Sequence, residues 1–404
     1  MLRFLSACSP SRLRRITSGD NYVPEIDGVR FVAIACVLVQ HLHERILRRT
    51  AAIYPDVSEH FFHTAGAGVS MFFALSGLIL YRGLANSLER HGAVNLKSYF
   101  WRRITRLEPP YVIVMTALFV YLSVVGYNSN HIRRFNTGPD NLFVAYLASL
   151  SYTYCMIFGS LPKLNGVAWS LEIEVQYYVL APLLAILIRR SGVKHKARLF
   201  FLLATVWAGL VTPLAFGNMH TRYSLLASLP YFLVGMAVEE VCRAPAAAFM
   251  SRVPGHIADI VGLLAFTALA TVHLPLESAL SSCLKAILVI LVLWGMLHGL
   301  IWRKFLSLPS VSVIGGMCYS IYLIHMPILE VGATLTSRFG TGLPYPIYFL
   351  IQGGLLISAV LIVSMSFYVM IERPCMNKNW PGDLANWLRR LRGKSTQSDS
   401  PQKQ

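Results

Sequence analysis

Acidic residues are scarce in this chain: 19 Asp and Glu stand against 36 Lys and Arg among 404 residues, a formal net charge of +17. Charge of either sign is sparse as well, at 14% of residues, where soluble domains carry about 25%. That scarcity excludes an ordinary water-soluble enzyme. It also excludes nucleic acid as the partner for the basic excess, because such a binder needs a polar body beneath its basic surface. The seven cysteines, Cys8, Cys36, Cys155, Cys242, Cys283, Cys318 and Cys375, form no CxxC pair. Neither a disulfide framework nor a zinc site follows. The LSAC run at 5–8 resembles a lipoprotein cleavage box, but the apolar stretch before Cys8 is too short for a signal-peptide core. A GxSxG elbow, an HExxH pair, a Walker loop and an HxxxxD box are all missing, which removes serine-hydrolase, zinc-protease, P-loop and soluble glycerol-acyltransferase chemistry.

Apolar residues are abundant. They make up 55% of the chain, with a mean hydropathy of +0.54. Runs near the roughly 20 residues a spanning helix needs centre on 28–47, 65–85, 108–127, 171–188, 199–218, 223–241, 259–276, 284–301, 311–331 and 345–371. With the N-terminus inside, most Lys and Arg residues fall on inner segments, as the positive-inside rule requires. An eleventh run, 141–158, is uncharged but half polar. If it spanned, the basic stretch 189–198 would lie outside, so it reads as a re-entrant or partly inserted segment. The expected architecture is an all-α polytopic membrane protein of about ten transmembrane helices plus that segment, with both termini cytoplasmic. Residues 1–20 read as a basic leader, 21–375 as one membrane domain, and 376–404 as an amphipathic segment (383–392) followed by a polar, disordered tail.

Ionisable groups inside spans are costly and are functional hypotheses by default. Arg30 and His41 are eleven residues apart, which places them on one helical face about 16.5 Å apart along the axis. Asp27 lies near the same stripe, and His43 points elsewhere. A local Asp27–Arg30 pair and a packing histidine would explain these residues equally simply. Arg102, Arg103 and Arg106 crowd the inner mouth of the third span, where guanidinium forks suit phosphates; plain positive-inside anchoring is the alternative. Glu174 falls within an apolar run and must be partnered or protonated, whereas Glu172 is expected nearer the outer surface and solvated. Tyr319, Ser320, Tyr322 and His325 share a later span, for which an aromatic packing helix is the alternative. His273 and His298 have no such company and read as core or interface residues.

Taken in order, these blocks resemble the acyltransferase-3 family of integral membrane acyltransferases. The match runs through VPEIDGVRFVAIACVLVQH (23–41), GVSMFFALSGLIL (68–80), RRITR (102–106), AWSLEIEVQYYVLAP (168–182), CYSIYLIHMPI (318–328) and IERP (371–374). Val175 departs from the pattern, since many relatives carry a second acid there. The resemblance implies transfer of an acyl group, usually acetyl, from cytoplasmic acyl-CoA to a hydroxyl. The acceptor would be a sugar of a lipid-linked or extracytoplasmic glycan, or alternatively a natural product such as a macrolide. No bound cofactor or metal is implied, and the setting would be a bacterial inner membrane. Some relatives carry a fused SGNH esterase-like domain; for this chain the resemblance leaves two alternatives, transfer by the chain itself or completion by a separate extracytoplasmic transferase partner.

On this reading His41 is the base, with Arg30 and Asp27 along the donor path and Glu174 approaching from the outer side. Arg102, Arg103 and Arg106 hold acyl-CoA. Ser76, Trp169, Tyr178, Tyr319 and His325 line the acceptor pore. A ten-span secondary transporter is the rival from another class, but it predicts inverted repeats with broken helices, and no such corresponding segments occur here.

Overall fold

A computed structural model describes residues 13–16, 22–57, 64–125, 139, 141–243, 253–377 and 379–382. The amphipathic segment expected at 383–392, the tail and the LSAC run lie outside the described residues. Among those described, all regular structure is helical. The helices are α1 (Pro24–Thr50), α2 (Thr64–His91), α3 (Leu96–Val125), α4 (Leu142–Leu150), α5 (Tyr154–Phe158), α6 (Trp169–Arg190), α7 (Lys196–Gly217), α8 (Met219–Arg222), α9 (Leu225–Arg243), α10 (Gly255–Thr271), α11 (Ala279–His298), α12 (Leu300–Leu306), α13 (Pro309–Gly316), α14 (Cys318–Thr336), α15 (Tyr345–Phe367) and α16 (Arg373–Cys375).

Nine of the described helical stretches are long and apolar enough to cross a membrane. The tenth expected span, 259–276, is the 17-residue α10, which stops at Thr271 because Leu274 precedes Pro275 and that position disfavours helix. The expected span 311–331 is also divided, into α13 and α14 with a break at Met317. The break follows the pair Gly315–Gly316, since glycine weakens a helix, and a Cβ on Gly315 would lie 1.7 Å from the carbonyl oxygen of Asp27. The 141–158 run forms two short helices, α4 and α5, separated by Tyr152 in the left-handed region at φ 55°. Neither is long enough to cross.

That folded-back run corrects the reading of Glu172. Its carboxylate is fully buried and accepts the Cys155 N–H at 2.9 Å. The first N–H groups of a short helix have no intrahelical acceptor, and Glu172 supplies one.

Helix α1 occupies the middle, packed against α2, α12, α13, α14 and α15. Without water to drive apolar faces together, membrane helices associate through close backbone contact at small residues. The α2–α9 crossing is such a contact: a Cβ on Gly77 would fall 2.1 Å from Phe232 O, and one on Gly235 1.9 Å from Ala74 O. At one end, Glu239 binds Arg82 (2.7 Å) and Arg243 (2.8 Å), while Arg189 bridges Glu89 (3.0 Å) and Glu240 (2.9 Å), tying α2, α6 and α9 together. Asp259 of α10 caps α12, accepting the N–H groups of Leu300, Ile301 and Trp302 at 3.0–3.1 Å.

The crossing sets a prediction. Gly235→Leu forces backbone against side chain and is expected to cost about 1–3 kcal/mol or more by overpacking. Gly354→Ala, at a site with nothing within 4 Å, is expected to be near neutral. Thermal unfolding of both variants in detergent checks this, and equal melting temperatures would contradict the close packing.

Candidate active site

The inner turns of α1 carry the first part of the site. Arg30 donates to the carboxylate of Asp27, which is 3% exposed, and the Arg15 guanidinium stands 3.5 Å from the same carboxylate. Arg30 faces a cavity of about 570 Å³ between α1, α2, α3, α6 and α14. Arg102, Arg103 and Arg106 all reach this cavity. They come from α3, which already begins at Leu96, so the basic run is helical and not a loop. Arg103 stacks 3.5 Å above the Tyr99 ring and donates to Tyr99 O at 2.7 Å. The Nε atoms of Arg103 and Arg106 are buried without a hydrogen-bond partner, leaving donor capacity for a ligand.

Glu174 lines the same cavity and accepts from the Ser76 hydroxyl at 2.6 Å, with Tyr178 beside it. It therefore shares a chamber with the arginines. Asn165, just before α6, donates to Leu323 O of α14 at 2.9 Å. Ser76, Tyr178 and Tyr319 also line the cavity. Tyr319 donates to Leu107 O at 2.9 Å. Trp169 is not on the lining; it packs against Phe73 and Tyr223, at 6.3 and 5.4 Å between ring centroids.

His41 and His325 also stand off the cavity lining, but they stand together. Their rings stack at 5.5 Å and 30°. His325 lies 5.6 Å from the ring of Tyr322, which does line the cavity and meets Phe72 at 6.2 Å. An aromatic layer thus separates the arginine-lined chamber from the imidazole pair. On α1, His41 Nδ1 is 3.1 Å from Glu44 Oε2. Glu44 Oε1 accepts from Gln40 at 2.8 Å, and Gln40 accepts the Ala65 N–H at 2.6 Å. A proton on Nδ1 satisfies the carboxylate and leaves Nε2 as the basic nitrogen. His325 is fully buried; its Nδ1 donates to Tyr322 O at 2.8 Å, and its Nε2 has no partner. His43, on another face of α1, pairs with the Tyr345 hydroxyl at 2.6 Å.

Several site residues were not singled out from the sequence. Glu44 carried a signal, since it stands three residues after His41 on one helix. Glu372 sits within the IERP run: it lines the cavity, is 1% exposed, and accepts from Ser320 N–H at 3.0 Å. Arg15 and Tyr99 gave no pattern. Among the described residues, no group of three or more His, Cys, Asp or Glu stands close enough to hold a metal ion.

The lining carries five guanidiniums, Arg15, Arg30, Arg102, Arg103 and Arg106, against the carboxylates of Glu174 and Glu372. Cys318 lies on the same wall. In a chain whose other cysteines are replaced, an anionic methanethiosulfonate is expected to label Cys318 about tenfold faster than a cationic one at low salt, through electrostatic focusing. Equal labelling rates would contradict a cationic chamber.

Comparison with known proteins fits this arrangement. An acyltransferase domain (Acyl_transf_3) matches residues 23–369. A protein of Staphylococcus aureus (strain COL) is 25% identical over 378 residues, covering 87% of this chain and 57% of its own length. The peptidoglycan O-acetyltransferase OatA of Listeria monocytogenes is 26% identical over 338 residues, 78% of this chain and 50% of the relative. The O-acetyltransferase OatA of Staphylococcus aureus (strain NCTC 8325 / PS 47) is 24% identical over 389 residues, 91% of this chain and 59% of the relative. The chain thus spans between half and three fifths of the length of these relatives. No solved structure matches it. With that domain match covering most of its length, this integral membrane protein belongs to the acyltransferase-3 family.

Proposed function

We propose that this protein transfers an acyl group, acetyl, from acyl-CoA to a hydroxyl of a sugar in a lipid-linked or extracytoplasmic glycan. The observation that carries this reading is the chamber of five guanidiniums ending at an aromatic layer backed by two imidazoles. Such a shape suits a donor with phosphates at one end and a thioester at the other, joined by a slim uncharged arm. The basic mouth faces the side that the charge distribution assigns to the cytoplasm, where acyl-CoA is found. The names of the relatives support O-acetyl transfer, and peptidoglycan in one name supports a glycan acceptor.

On this reading Arg102, Arg103 and Arg106 hold the phosphates, and the pantetheine arm runs past Arg30 towards Phe72 and Tyr322. Nε2 of His41 takes the proton of the acceptor hydroxyl. The oxygen attacks the thioester carbon, the C–S bond breaks, and CoA leaves as a thiolate that is protonated to the thiol. Glu44, not Glu174, is the carboxylate placed to orient His41, since it meets Nδ1 at 3.1 Å. Glu174, held by Ser76, faces the donor arm. The setting is a bacterial inner membrane with both termini in the cytoplasm. A ten-span transporter would need no thioester consumption.

Membranes given labelled acetyl-CoA test the assignment. His41→Ala is expected to lower kcat by about 10²–10⁴-fold, the usual loss for a general base. Glu44→Gln is expected to lower it by about 10²-fold through misplacement of the ring, with KM for the donor unchanged in both. Full activity in His41→Ala together with its loss in Glu174→Gln would move the base to the carboxylate that lines the cavity.

A further inference from the structure

The matched domain begins at residue 23, yet the chamber wall includes a side chain that precedes it. Residues 13–16 meet the protein through Leu13 and Arg15, while Arg14 and Ile16 are exposed. Leu13 is buried in the core at 5% exposure, Arg14 lies 5.4 Å over the Tyr22 ring, and Arg15 and Ile16 line the cavity. The Arg15 side chain is 14% exposed and 3.5 Å from Asp27. That distance is longer than the usual charge-assisted hydrogen bond of about 2.7–2.9 Å, and Asp27 is already engaged by Arg30. The Nε of Arg15 is buried with no partner.

Charge counting makes the same point. The chamber lining holds Arg15, Arg30, Arg102, Arg103 and Arg106 against Glu174 and Glu372, with Asp27 bonded to Arg30 and 3.5 Å from Arg15. Three carboxylates therefore face five guanidiniums, and Glu372 already accepts the N–H and hydroxyl of Ser320. A buried cation without a full counter-charge is costly, and a bound anion removes that cost.

We propose that Arg15 is a donor-binding residue: its guanidinium takes a phosphate group of the acyl-CoA, so that the segment ahead of the acyltransferase domain forms part of the donor site. This rests on the acyl-CoA reading given above. An arginine suits the role because its planar fork can bind Asp27 along one edge and phosphate oxygens along another. The arrangement also gives the donor a hand in fixing residues 13–16 against the chamber.

The test uses the purified full chain, with CoA and adenosine 3′,5′-bisphosphate as ligands, in wild type, Arg15→Gln and Arg15→Lys. Thermal unfolding without ligand serves as the fold control. Arg15→Gln is expected to weaken both ligands about tenfold, the effect of losing one hydrogen bond to a charged group, at an unchanged unfolding temperature. Arg15→Lys, which keeps the charge but loses the fork, is expected to recover part of the loss. Unchanged affinity in Arg15→Gln would overturn the assignment. So would an affinity loss matched by a fall in unfolding temperature, with no recovery in Arg15→Lys, because Arg15 would then be a structural tie to Asp27. A wild-type chain that binds neither ligand would overturn the acyl-CoA reading itself, and this assignment with it.

Discussion

The site depends on a buried carboxylate held by an arginine at one end of an apolar helix. Asp27 alone would be a buried charge costing several kcal/mol; with Arg30 bonded to it, it becomes a fixed point. The surrounding backbone is built to close on it. A Cβ on Gly28 would fall 2.4 Å from Leu306 O, and one on Gly315 1.7 Å from Asp27 O, so α12 and α13 seal the back of the pair. The exposed faces of the guanidiniums are left to the cavity. Helix α1 then carries its other functional side chains outward at a fixed rise, and His41 arrives about 16.5 Å further along the axis.

That geometry divides the interior in two. Charge gathers in the chamber, where five arginines outnumber two glutamates. Beyond the Phe72–Tyr322 layer lie His325 and His41, with Glu44 and Gln40 fixing the ring through a chain that ends on the Ala65 N–H. On the proposed function this separation matches the chemistry: phosphates are held where positive charge is dense, and the reacting carbonyl meets an imidazole away from it. Phe72 and Tyr322 stand between the arginine-lined cavity and the imidazole pair, which on the proposed function suits a donor and an acceptor that approach from opposite sides of a membrane.

Much of this was legible from the sequence, because membrane spans follow from length and hydropathy alone. The all-helical architecture followed from the apolar runs, and the failure of 141–158 to cross followed from the placing of the basic stretch 189–198. The pairing of Arg30 with Asp27 and the divergence of His43 from His41 followed from helical periodicity. What was not legible depended on tertiary approach. The break at Met317 had a local mark in the Gly315–Gly316 pair, but the close approach of Gly315 to α1 was not readable. Glu172 read as solvated because the partner that buries it, Cys155 N–H, belongs to a folded-back segment. Trp169 read as a pore aromatic, and only its neighbours Phe73 and Tyr223 show it to be packing. Arg15 lay in a stretch whose composition matched any cytoplasmic leader, and its role depends on where that stretch lands.

The central claim is that a donor bearing phosphates enters the arginine-lined chamber from one side and delivers its acyl group towards the other. Sealed vesicles of defined orientation test it most directly, with labelled acetyl-CoA supplied outside. Inside-out vesicles are expected to convert the label to a base-labile ester on membrane glycan, while right-side-out vesicles of equal protein content convert none. Equal conversion in both orientations, or conversion confined to the right-side-out preparation, would contradict the account.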